Sequence, residues 1–257
     1  MLLLLPPSEG KSVPDDGAPV DLSALGSPSL TRHRKAVLRA LVAASRRRDA
    51  LDVLGVSSGL ADEVARNVSL PTAPAAPASQ VYSGVLYAAA GLADLPPAAA
   101  ARAQESVRIV SALWGAVSPA DRIPAYRLSM GTKLPPFGAL APSWRPHLAA
   151  ALDARAVGDV VIDCRSAPYA AAWKVPAGAE HVAVRVLREL DGKRSVVSHN
   201  AKHTRGVLTG HLLTRAEPVH SGEELLKAAY ELVGTELLDA TLLPGARGAS
   251  TLELVVS

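Results

Sequence analysis

Apolar residues along this chain fall into two kinds of run. LLLL from Leu2, VRIVSAL from Val107, VVID from Val160, HVAVRV from His181, SVVS from Ser195 and TLELVV from Thr251 are short and rich in Val, Ile and Leu, as buried strands are. Elsewhere apolar residues recur every three or four positions. Leu30, Val37, Leu38, Leu41 and Val42 predict an amphipathic helix, a second helix runs towards Asn67, and a third covers about 201–213. Ser221-Gly222-Glu223-Glu224 is a capping box that opens the helix ELLKAAYELVG. Between these, LPTAPAAPASQ at 70–80 reads as an irregular Pro/Ala loop, and WGAVSPADRIPAYRLSMGTKLPP as a long loop hung on a strand end. Strands and helices interleave with no internal repeat, which predicts one mixed α/β domain over residues 1–257 around a mixed β-sheet.

Composition narrows the class. Hydrophobic residues at 49% and charged residues at 20% suit a globular domain, and aromatics at only 4% make its core aliphatic. No run is long enough to span a membrane, and MLLLL lacks the basic flank and cleavage site of a signal peptide, so a cytoplasmic protein without membrane partners is expected. One cysteine, Cys164, leaves no internal disulfide, and the histidines form no ligand pattern. We therefore expect neither metal nor cofactor. The net charge is only +3, yet Arg32, Arg34, Lys35, Arg39, Arg46, Arg47 and Arg48 crowd one stretch against Asp49 alone. Riding on the polar face of the first helix, they would attract a polyanion.

Candidate chemistry begins at LPPSEGKS. Gly-Lys-Ser suggests a phosphate-binding P-loop, but Leu5 stands where the first Gly is needed and VPDDG follows where a helix should start. Ser8-Glu9-Gly10-Lys11 also spells the Ser-x-x-Lys dyad of β-lactamases, yet Pro6-Pro7 and Gly10 disfavour the helix that dyad needs, and no Lys-Thr-Gly completes the set. What remains is a strand delivering Ser8, Glu9 and Lys11 into a loop at its end. Tyr82-Ser83-Gly84, the segment Pro124 to Gly131 with Arg127, and Asp163-Cys164-Arg165-Ser166-Ala167-Pro168-Tyr169 look like further functional loops. In HNAKHTRG, Lys202 and Arg205 would share the first turn of a helix, a fitting place for phosphate.

Taken in order, LLLLPPSEGK, VYSGV, LWGAVSPADRIPAYRLSMG, the strand-loop ending in Ser-Ala-Pro-Tyr, and AKHTRG resemble the YaaA-type peroxide stress proteins, bacterial and cytosolic, across nearly the whole chain. The resemblance implies a distinctive fold with a helix-hairpin-helix element and a role in binding DNA to limit oxidative damage. That element would lie in 30–68, following the basic helix: in Leu54-Gly55-Val56-Ser57-Ser58-Gly59-Leu60-Ala61 the first glycine matches, whereas Ser57 replaces the second and would be strained at positive φ. The expected function is sequence-independent binding of double-stranded DNA in the peroxide stress response, through Arg46, Arg47, Arg48, Gly55, Ser57 and Gly59. The alternative is an enzyme on nucleic acid, a nucleotide or another small phosphorylated ligand. Lys11 or Lys202 would be its nucleophile or phosphate clamp, Asp163 its acid/base, and Ser8, Tyr82, Arg127, Tyr169 and Arg205 would bind the anion or substrate.

Overall fold

A computed structural model describes residues 1–196, 199–245 and 249–257. Eight strands form the central sheet: β1 (Leu2–Leu5), β2 (Val107–Ser111), β3 (Gly115–Val117), β4 (Val160–Asp163), β5 (Glu180–Leu190), β6 (Lys193–Val196), β7 (Asp239–Pro244) and β8 (Ala249–Val256). Their spatial order is β7-β8-β5-β4-β1-β2-β3, with β6 on the far end of β5. The inner five, β8, β5, β4, β1 and β2, run parallel, and β7, β3 and β6 are antiparallel additions. All four leucines of β1 are fully buried, so both faces of the strand are covered, as a parallel strand at the centre of a sheet requires. Asp191 and Gly192, at φ 51° and 71°, make the tight turn into β6. This places β6 two residues before the strand expected from Ser195; Val197 and Ser198 lie outside the described residues.

The mixed α/β single domain expected from the hydrophobic pattern is what the chain forms. Several local expectations give way. In the stretch 70–80, Ala76–Pro77 pairs with Arg122–Ile123 and Ala78–Val81 is a helical turn, because the spacer is held against the loop after β3. Arg34 does not ride on the polar face of the helix Thr31–Ser45. It is fully buried and donates to the carbonyl oxygens of Trp114 (2.8 Å), Ala116 (2.7 Å) and Gly26 (2.8 Å), pinning that helix to β3. Burial pushes its pKa down to about 10, and the carbonyls stand in for the lost water.

The helices Pro97–Ser106 and Leu140–Ala156 escape the sequence pattern. The second buries Leu140, Trp144, Leu148, Leu152 and Ala156 at four-residue spacing, but Pro146 inside it disguises the run as a loop. The helix His199–Thr214 packs on Val85–Ala90 through Gly206 and Gly210. A Cβ on Gly206 would sit 2.3 Å from the carbonyl oxygen of Leu86, and one on Gly210 2.9 Å from that of Ala90. The capping box forms at Ser221, whose hydroxyl accepts from the Glu224 amide at 3.2 Å. Among the described residues no helix is long and apolar enough to cross a membrane.

Candidate functional site

Strand β1 is where the chain changes direction across the sheet: it pairs with β2 on one side and, much later, β4 on the other. The crevice beyond the carboxyl end of such a strand is where open α/β sheets bind ligands. Pro6-Pro7 stiffens the exit from β1, and the loop is then stitched to the segment YSG. Lys11 bridges Tyr82, the Ser12 amide donates to the Val81 carbonyl at 2.9 Å, and the Tyr87 hydroxyl donates to the Pro6 carbonyl at 2.7 Å. Ser8 is buried against Gly84, where an added Cβ would lie 2.2 Å from the serine hydroxyl.

Within this frame the Lys11 ammonium donates to the carbonyls of Ser8 (2.7 Å) and Glu9 (3.3 Å) and lies over the rings of Tyr126 (4.4 Å to the centroid) and Tyr82 (5.6 Å). Tyr126 is fixed by hydroxyl contacts to Ser111 (2.7 Å) and Tyr82 (3.0 Å). Ser111 closes β2, and its oxygen already accepts from the amides of Leu113 (3.2 Å) and Trp114 (3.0 Å). Its proton is therefore free for Tyr126, which orders the chain from Ser111 through Tyr126 to Tyr82.

Electrostatics follow from this packing. Desolvation, reinforced by repulsion from Arg127, pulls the Lys11 pKa down to about 7, while Glu63 and Glu9 oppose the change. Burial pushes the phenols of Tyr82, Tyr87 and Tyr126 well up, so all three are neutral donors at any physiological pH. Burial also raises Tyr169, against hydrogen bonds involving Ser129 and the Met130 backbone. Four of the chain's five tyrosines thus sit in mutual electrostatic reach around one lysine.

Arg127 joins this cluster to the segment 50–66. Its backbone is clamped by Asn67, which accepts from the Arg127 amide (2.8 Å) and donates to the Arg127 carbonyl (2.9 Å). Its guanidinium reaches Glu63 at 3.5 Å. Asn67 is fully buried and escapes a sequence reading, because a polar residue at the end of a helix carries no mark of a clamp.

The segment itself holds two short helices joined by a turn. Ala50–Leu54 ends at Gly55 (φ 65°), a turn at Ser58–Leu60 follows, and Ala61–Arg66 continues. Gly55, Ser57 and Gly59 are exposed on it. The strain expected at Ser57 is absent: its φ of −74° is ordinary extended backbone, and only Gly55 needs positive φ. Arg46, Arg47 and Arg48 are exposed just before this segment, with Arg47 held by Asp49 through two contacts of 2.7 Å.

Three candidates stand apart from Lys11. Asp163 cannot serve as a neutral-pH acid/base, because Arg165 grips both its oxygens (2.8 and 2.7 Å) and His181 adds a third contact at 3.3 Å. These partners hold its carboxyl well below the usual range despite burial. Lys202 is exposed on the helix His199–Thr214. Arg205, three residues on, turns inward and donates to the Val184 carbonyl at 2.8 Å, so the two cations do not form the shared phosphate site expected of them. Cys164 is buried, which lifts its thiol to about 12 and leaves it inert. Among the described residues no group of acidic, histidine and cysteine side chains is arranged to hold a metal.

The site is thus a lysine–tyrosine cluster at the switch point of the sheet in a mixed α/β domain, joined by Arg127 to two short helices. The chain belongs to the family described as peroxide stress protein YaaA, which it matches over residues 1–231. Among similar proteins, UPF0246 protein SCO2297 of Streptomyces coelicolor is 48% identical over 237 residues, covering 90% of each chain. UPF0246 protein CE1889 of Corynebacterium efficiens is 44% identical over 232 residues, covering 89% of this chain and 91% of its own.

Proposed function

We propose that this protein binds double-stranded DNA without reading sequence, as part of the response to peroxide stress. It would meet the phosphate backbone with a hairpin at Gly55, Ser57 and Gly59 and with the cations preceding it, Arg46 to Arg48. The observation that carries this reading is the exposed run Arg46, Arg47 and Arg48 directly before the turn at Gly55, and the Arg127–Glu63 contact at 3.5 Å ties the segment after it to the Lys11 cluster. Support also comes from Lys35, Arg39 and Arg46, which line a single groove of about 420 Å³ together with Leu38 and Val42. Positive charge there favours an anion. The Gly55 and Val56 amides donate to the carbonyls of Asp52 (3.1 Å) and Leu51 (3.0 Å), and the exposed backbone that could meet a phosphate is the following Ser57 to Gly59. Carboxylates at Asp49, Asp52, Asp62 and Glu63 limit how many phosphates the hairpin itself can neutralise, so most of the attraction falls to the helix before it.

If Lys35, Arg39, Arg46 and Arg48 each neutralise one phosphate, log K should fall with log salt at a slope of about −3.6. A double Arg46→Ala, Arg48→Ala variant should flatten that slope by about two units on every sequence tested. Adding Arg47→Ala should change it little, since Asp49 already neutralises Arg47. Fluorescence anisotropy with two unrelated duplexes across a salt series measures this, and a slope that the double variant leaves untouched removes these arginines from the interface.

A further inference from the structure

We infer that Lys11 is a nucleophile for an aldehyde carried on DNA, and that its substrate class is the ring-opened sugar of an abasic site, captured as an imine. The inference rests on the DNA-binding reading above and adds the chemistry of the lysine–tyrosine cluster that Arg127 joins to the segment 50–66.

A lysine that serves structure alone usually meets a carboxylate. Among the described residues Lys11 makes no ion pair: the nearby Glu63 is drawn to Arg127, and the lysine is left with two backbone carbonyls and two aromatic faces. Carbonyl oxygens also accept, more weakly, from a neutral amine, so its two N–H groups can keep the same contacts after proton loss and leave the lone pair directed away from those carbonyls. Crowding by Arg127 and loss of water place that proton loss near neutrality, where an unprotonated amine can attack carbon. The loop itself is open on its outer side, since Glu9, Gly10 and Ser83 are exposed.

The electrophile follows from what surrounds the amine. Neutral phenols suit an uncharged carbonyl: with Ser111 donating to Tyr126 and Tyr126 to Tyr82, it is the Tyr82 hydroxyl that has a proton to hand to an oxygen. Arg127 is held to Glu63 at a long 3.5 Å and can exchange that carboxylate for a phosphate flanking the sugar. In the reaction the amine lone pair attacks the aldehyde carbon, and the carbonyl π pair moves to oxygen, which takes up a proton. The nitrogen gives up a proton, and the hydroxyl takes up a second proton and leaves as water while the nitrogen lone pair forms the C=N bond. The iminium then releases its remaining N–H proton, so two protons are taken up and two are returned. Amine and aldehyde become imine and water, with no oxidant or reductant consumed.

The test is borohydride trapping of the full chain on a duplex with one abasic site, with the adduct located by peptide mass spectrometry, alongside binding to an intact duplex. We expect a covalent adduct on Lys11, absent from Lys11→Met and kept by Lys202→Ala, with intact-duplex binding unchanged in Lys202→Ala. The trapping rate should rise with pH through about 7, and Arg127→Gln should move that midpoint upward, because it removes a repelling charge and frees Glu63 to attract the proton. A lysine with only a structural role gives neither the adduct nor the moving midpoint. Binding to the intact duplex without trapping of the abasic one overturns the inference while leaving the DNA-binding reading standing. An adduct that persists in Lys11→Met overturns it too. If the parent binds neither duplex, the DNA-binding reading fails and the substrate named here fails with it. In that case labelling of Lys11 by glyceraldehyde and borohydride reports separately whether its amine is nucleophilic.

Discussion

Replacing Lys11 by Met should make the protein more stable, although it removes a hydrogen bond. A lysine pKa lowered from 10.5 to about 7 means that the folded state resists a proton that the unfolded state accepts. Above the ordinary lysine value both states are neutral and the residue costs nothing. As pH falls below it the unfolded chain is protonated first, so the parent loses stability progressively, until the folded state is protonated as well near pH 7 and the loss levels off. At about pH 8 the roughly two and a half pH units between solution and the ordinary value correspond to about 3 kcal/mol. Solvent that still reaches the side chain trims this to about 2 kcal/mol. Methionine keeps the packing against the tyrosine rings and forfeits the bond to the Ser8 carbonyl, worth about 1 kcal/mol. The net gain of about 1 kcal/mol should raise Tm by about 2–4 °C. Paired thermal melts from about pH 6 to pH 10.5 measure it: the advantage of the variant should be largest at and below pH 7 and shrink towards the alkaline end. An advantage that grows with pH, or none at any pH, refutes the account of Lys11 as a desolvated amine.

Three further outcomes follow from the packing. Gly206→Ala drives a methyl group to 2.3 Å from the Leu86 carbonyl oxygen and should cost about 1–3 kcal/mol, read as a lower midpoint in urea with an unchanged m-value. Gly55→Val strains a left-handed turn that has open space around it, so it should cost about 1–2 kcal/mol from the backbone alone and weaken duplex binding in anisotropy titrations. Ser57→Gly should leave duplex binding within about twofold, because the position already has ordinary backbone and no strain is there to relieve; a large gain in affinity would contradict the observed φ.

The sheet was legible because buried parallel strands are continuous apolar runs: β1, β4 and β5 stand where Leu2, Val160 and His181 open such runs. Lys11, Tyr82, Arg127 and Tyr169 could be picked out because strand ends and Gly- or Pro-rich loops are where functional groups gather. What one dimension hides is pairing. Arg165 lies two residues from Asp163 and cancels it, Asp49 does the same to Arg47, and Arg34 turns inward from a helix whose other cations face water. Tyr126 and Ser111 complete the site although each looks like an ordinary residue in an apolar context, since their value lies in hydroxyls that meet only after folding.

The placement of β1 also has a kinetic consequence. Leu3 pairs with Val107 on one side and Ile162 on the other, so the middle of the sheet can close only when segments more than about a hundred residues apart have found each other. Until then four consecutive leucines are an open, uncharged strand with both edges available, the kind of segment that associates between chains. Pro6 and Pro7 immediately after it deny any intruding strand its next amides, and Glu9 and Lys11 put charge on the same flank. The residues that stiffen the loop for chemistry in the folded protein thereby act as gatekeepers during its assembly, and relaxing that loop by substituting the prolines would expose the chain to aggregation on refolding before any effect on the finished site is felt.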